Sequence, residues 1–196
     1  MSTLIKISTK RVGDVITHAG LEAESTQLLR PDHLVEHGIE VLRGAERIID
    51  ALRLLAHALP KREAVWWACT CCRVLLGAGI PHTDEPAIAR AEAWVYEPND
   101  KNARTAYVEA EQRGFQTPGG WAAVAAFWSS GSLAPQDQPA VPPADYLTGV
   151  AVAGAVTLAG VVEPIADMDT RYARFLKFGL DIAAGGTARS PDDKPA

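Results

Sequence analysis

Along most of the chain apolar residues return every three or four positions, and proline, glycine and capping residues break that rhythm at short intervals. Such a pattern predicts helices separated by tight turns, because a 3.6-residue period places every third or fourth side chain on one face. The clearest stretch runs from Pro60, a helix opener, to Gly77, a helix stop. Within it Val65, Cys69, Cys72 and Leu76 form one apolar row and Trp67, Cys71 and Val74 a second, so most of the circumference is apolar. This segment is expected at the centre of the fold. Only Arg62, Trp66, Thr70 and Arg73 form a mixed stripe. Arg62, Trp66 and Arg73 are the candidate contacts for a protein partner, because tryptophan and arginine carry much of the binding energy at interfaces. The internal alternative has Arg73 stacked on Trp66 within the fold.

On the amino-terminal side, Ile48, Leu52, Leu55 and Leu59 place a helix over residues 45–59, and Pro31 opens another that runs to about Val41. Residues 12–18 and 22–29 read as two short helices around Gly20, and residues 4–7 as a short strand or a docked arm. On the carboxyl side, Thr83 or Asp84 caps a helix with Pro86 in its first turn, and Pro98 ends it. Asn99 caps the next, over residues 100–113, and Gly114 closes it. Thr117 and Pro118 then open a helix with Trp121, Val124, Ala125 and Trp128 on its apolar side. Three helices joined by such short turns are expected to pack antiparallel. The proline-rich residues 129–143 read as a surface crossover, residues 144–162 and 168–184 as the last helices, and residues 187–196 as a disordered tail. The expectation is an all-α protein: a single-domain multi-helix bundle of antiparallel helix pairs over residues 1–186, about eight helices, with 1–32 as an arm and short helices.

Composition narrows the function classes. The net charge of −5 is spread without a basic patch, which argues against nucleic acid. The three cysteines all fall inside the apolar central helix, so they read as reduced core residues of a cytoplasmic protein, not as a disulfide framework. The first residues lack the charged and apolar regions of a signal peptide. Residues 146–162 carry no charge, but the run falls short of the ~20 residues a bilayer span needs, and its alanines and glycines suit a closely packed buried helix. No membrane association is expected.

Candidate chemistry is sparse. His33, Glu36 and His37 match the H-x-x-E-H pattern of inverted zinc peptidases, in which two histidines hold zinc and the glutamate activates water. Nothing downstream supplies a convincing further ligand, so a metal-dependent hydrolase is the weakest reading and a solvated helix face the stronger one. The glycines at 114, 119, 120 and 131 do not form a phosphate-binding loop, and Ser129, Ser130 and Ser132 lack nucleophile-elbow spacing. No catalytic residue and no cofactor is expected.

The run from Asp50 to Cys69, with Leu59-Pro60-Lys61-Arg62-Glu63-Ala64-Val65-Trp66-Trp67-Ala68-Cys69 at its heart, resembles an uncharacterised bacterial family of about this size. Ala93-Trp94-Val95, the run from Thr117 to Trp128, and Gly131-Ser132-Leu133-Ala134-Pro135 resemble it too, so the likeness covers roughly residues 10–186. The resemblance brings an association with type VI secretion loci. It implies a non-catalytic accessory role, an adaptor or chaperone for a secreted effector or spike-tip protein. An immunity-type protein that neutralises a cognate toxin is the alternative.

Overall fold

The computed structural model describes residues 4–188 and holds nine α-helices and three short 3-10 turns among them, with no strand. The helices are α1 (Ala23–Leu28), α2 (Val35–Gly44), α3 (Ile48–Ala58), α4 (Lys61–Arg73), α5 (Glu85–Tyr96), α6 (Asp100–Gln112), α7 (Pro118–Trp128), α8 (Leu147–Gly160) and α9 (Met168–Ala183). One apolar core runs through all but the shortest of them, which makes the chain an all-α, single-domain bundle as expected.

The centre is shared by α4, α7 and α8. Helix α4 packs on α5, α7, α8 and α9, which is why it is apolar nearly all round. Helix α7 meets α4, α5, α6 and α8, and it does so with small side chains: Gly119, Gly120, Ala122, Ala123, Ala125 and Ala126 are all buried. Small residues let four neighbours close on one helix at short range. Helix α8 follows the same plan, with Ala151, Ala153, Ala155 and Ala159 buried. No single helix among the described residues is long and apolar enough to cross a membrane.

Capping signals placed several boundaries correctly. The Asn99 side chain accepts from the Asn102 amide at 2.8 Å, Thr117 accepts from the Gly120 amide at 3.1 Å, and Gly114 sits at φ +58° just past α6. At the end of α8 the guanidinium of buried Arg171 donates to the carbonyls of Gly160, Val162 and Pro164, which the departing chain would otherwise leave unpaired.

Three expectations are corrected and one open alternative is resolved. Helix α2 starts at Val35, not at Pro31, because residues 31–35 pair with the amino-terminal segment: Gly13 and Val12 donate to the Pro31 and His33 carbonyls, and Val35 donates to Lys10. Residues 12–18 form a 3-10 turn at Val12–Asp14 and further turns, not an α-helix. Of the two readings of residues 4–7 the docked arm is the one found, with Lys6 donating to the Ala183 carbonyl and Ser8 to that of Ala58. Of the expected tail, Thr187 and Ala188 are docked: Trp66 Nε1 donates to the Thr187 carbonyl at 3.0 Å and the Ala188 amide to Asp181 at 2.8 Å. Residues 189–196 lie outside the described residues.

Cys69, Cys71 and Cys72 are free and fully buried, and burial pushes each thiol well above its ordinary range. A thiolate is the reactive form, so these side chains are chemically silent while the fold is intact. The native protein is therefore expected to show negligible reaction with a thiol reagent at neutral pH and to release three reactive thiols on denaturation. Rapid modification of the native chain would place a cysteine at the surface.

Candidate binding surface

The stripe singled out on α4 is a seam between helices. Arg62 Nε donates to the Val95 carbonyl at the end of α5 at 2.6 Å. Arg73 grips Glu92 of α5 with two nitrogens, at 3.0 and 2.7 Å, and reaches Glu85 at 3.1 Å. Those carboxylates raise the already high pKa of the guanidinium further. Trp66 is half-buried, donates to Thr187 and meets Tyr96 edge-on at 6.2 Å. Arg73 thus pairs with two glutamates where stacking on Trp66 was the internal alternative. Both arginines already have partners in α5, and charge reversal at Arg73 would set three like charges together.

The histidine motif is also redistributed. His33 precedes α2, its Nδ1 accepts from the Arg30 amide at 3.3 Å, and its ring meets that of His37 edge-on at 4.5 Å. Glu36 lines a separate cavity beside Glu40, Arg43 and Lys177. Among the described residues no three of the His, Cys, Asp and Glu side chains are placed to hold a metal ion.

A different surface has the chemistry of an interface. Between α6, α7 and the start of the crossover lies a groove of about 420 Å³ lined by Tyr107, Phe115, Trp121, Val124, Phe127, Trp128 and Leu133. No charged residue lines it. Val124 and Phe127 form a buried floor, whereas Phe115 and Leu133 are each 38% exposed at the rim. The rings support one another: Tyr107 lies 4.4 Å from Phe127 and 5.8 Å from Phe115, and Trp121 meets Trp128 edge-on at 6.3 Å. Neither indole N–H of Trp121 or Trp128 donates to a described residue.

Two local devices build this groove. Trp121 and Trp128 stand seven residues apart on α7, hence on one face, while the small residues of that helix face the core. Phe115 follows Gly114 with φ +57°, a left-handed conformation that costs a bulky residue on the order of 1–3 kcal/mol. That strain sets its ring against Tyr107 at the groove edge. The sequence places Trp121 and Trp128 on the apolar side of this helix, and in the structure both are half-buried, packed against the core on one side and lining the groove on the other. The signal for an open aromatic face is that α7 is rich enough in alanine and glycine to satisfy its packed faces without them.

A family model described as a family of unknown function, DUF6931, matches residues 38–183. The chain belongs to this family. The DUF6931 match takes in most of α2 and the whole of α3 to α9, and with them the groove and the α4–α5 seam, whereas the arm and α1 precede it. No curated protein and no solved structure matches the chain.

Proposed function

We propose that this DUF6931 protein is a non-catalytic bacterial accessory protein, an adaptor or chaperone acting in the cytoplasm on a secreted partner of the type VI effector or spike-tip kind. The observation that carries the reading is the uncharged aromatic groove on α6 and α7. Interface centres are enriched in aromatic residues and depleted of charge, and rigid rings gain contact area at small entropic cost. An apolar segment of the partner would seat one or two side chains over Val124 and Phe127, while the Trp121 and Trp128 N–H groups offer donors to its backbone. The strained Phe115 supports the same assignment, because strain of this kind persists where the surroundings impose it and gathers at binding sites. The secretion context rests on the resemblance of the Trp66-Trp67 and Thr117–Trp128 segments.

The test uses a purified effector or spike-tip protein encoded beside this chain and the double variant Trp121→Ala, Trp128→Ala. Both residues are half-buried, so the variant is expected to keep its helical spectrum. Its affinity should fall tenfold or more, the usual effect of truncating central aromatic anchors. Binding that survives the double substitution would move the interface elsewhere. A wild-type complex in which a toxic partner loses its catalytic activity would replace the adaptor by an immunity protein.

A further inference from the structure

A second cavity lies away from that groove, where the amino-terminal arm, the α3–α4 corner and the start of α8 meet. Its volume of about 560 Å³ is of the size that small ligands occupy. Three distant stretches of chain supply its titratable groups: Asp14 and His18, then His57 and Lys61, then Asp145 and Tyr146. His18 and Tyr146 stack flat, with ring centres 4.1 Å apart and planes 7° from parallel, and together make an aromatic wall. At the mouth Lys61 Nζ donates to Asp145 Oδ1 at 2.9 Å.

Two of these groups are unspent. The Asp14 carboxylate has no ion pair or hydrogen bond to a described residue. His57 makes no hydrogen bond to one either, and burial first, then the proximity of His18, holds its pKa down to about 4. At neutral pH it is an uncharged ring with one acceptor and one donor. The ring lies against α8 at Gly149, where an added Cβ would stand 2.6 Å from Nδ1, so a glycine keeps this end of the cleft open.

We propose that the cleft binds a small organic cation, a guanidinium or primary ammonium group, with Asp14 as counter-ion, the outer face of the Tyr146–His18 stack as the surface it lies on, and His57 as a neutral acceptor. Charge decides the class. The one lysine in the cleft is occupied by Asp145, which leaves Asp14 uncompensated. A cation finds that carboxylate and an aromatic face, each of which attracts it. An anion would have to displace Asp145 from Lys61 and would still sit beside Asp14. Tyr146 is 41% exposed, so its ring is within reach of a ligand.

Calorimetric titration of the full chain with agmatine and with N-acetyl-argininamide, and with acetate as the anionic control, tests the assignment. Saturable binding of a cation in the millimolar range or tighter is expected, with none of acetate. Asp14→Asn should weaken it about tenfold, the effect of losing a charged hydrogen-bond partner. Lys61→Met should act in the opposite direction and strengthen it several-fold, because it releases Asp145 from its pair. Opposite signs from the exposed Asp14 and the half-buried Lys61 are not produced by partial unfolding, and an unchanged melting temperature checks each variant. Binding of agmatine without binding of the capped amide assigns the primary ammonium, whereas binding of both assigns the guanidinium, the group that an arginine side chain presents. Absence of saturable cation binding, equal binding of acetate, or indifference to both substitutions would overturn the proposal.

Discussion

Replacing Trp67 by alanine is expected to destabilise the fold by about 3–5 kcal/mol, in the range for deleting a large buried aromatic. Trp67 is fully buried on α4, and its Nε1 donates to the Phe175 carbonyl of α9 at 2.8 Å. Its neighbours have no means of filling the space. Gly179 comes so close that an added Cβ would lie 2.8 Å from Trp67 Cε2 and 2.6 Å from Leu55 Cδ2, so α9 already rests its backbone on the indole. The vacated volume would persist as a cavity, and the stability lost scales with that volume. In a chain of this size such a loss lowers the melting temperature by about 6–20 °C. Trp66→Ala, one residue earlier, removes a half-buried ring and should cost clearly less. A Trp67→Ala protein that melts within a few degrees of wild type would show that α9 is not seated on this side chain.

The contrast between these adjacent tryptophans marks how far the sequence alone could be read. Local chemistry declared the starts of α4, α6 and α7 and the end of α6, since the Pro60 start, the Asn99 and Thr117 caps and the Gly114 stop act within one turn, whereas α4 ends at Arg73, short of the expected Gly77 stop. The start of α2 escaped because its rival was distant. Pro31 and His33 spend their carbonyls on Gly13 and Val12, and no local rule sees a partner some twenty residues away. The half-exposure of Trp121 and Trp128 escaped for a related reason. A large apolar side chain at helical spacing is ordinarily core, but α7 is enclosed by four helices that close mostly on its alanines and glycines, so Val124 and Phe127 are buried while the two tryptophans stay half-buried at the groove. On α4 the ambiguity ran the other way. Arg62, Trp66 and Arg73 look solvated in sequence, and only the structure brings Val95, Glu85 and Glu92 against them.

The same dependence on distant partners governs Asp84, and here a second large effect is expected. Sequence chemistry offered Asp84 as the cap of its own helix α5, yet its side chain makes no capping bond there. It serves the start of α7 instead. Thr117 Oγ1 donates to Asp84 Oδ1 at 2.5 Å and the buried Gly119 amide donates to Oδ2 at 2.7 Å. Glycine is required at 119, since an added Cβ would stand 2.5 Å from that same Oδ2. Arg113 Nε lies 3.3 Å from Oδ1 but is not aligned to hydrogen-bond, so charge carries that contact, while its Nη1 holds Glu109 at 2.8 Å. Asp84 is 1% exposed, and its carboxylate joins the entry to α5, the end of α6 and the start of α7. Asp84→Ala would leave the Arg113 charge short of a counter-ion and a buried amide unpaired, at a cost of about 3–5 kcal/mol. Asp84→Asn keeps an acceptor oxygen but loses the charge and offers a donor where two already point inward, for about 1–3 kcal/mol. Because α6 and α7 also frame the aromatic groove, the alanine variant should lose partner binding together with its melting temperature. Thermal unfolding of the two variants side by side measures the ranking. An alanine variant as stable as the asparagine one would mean that the buried carboxylate contributes packing and not charge.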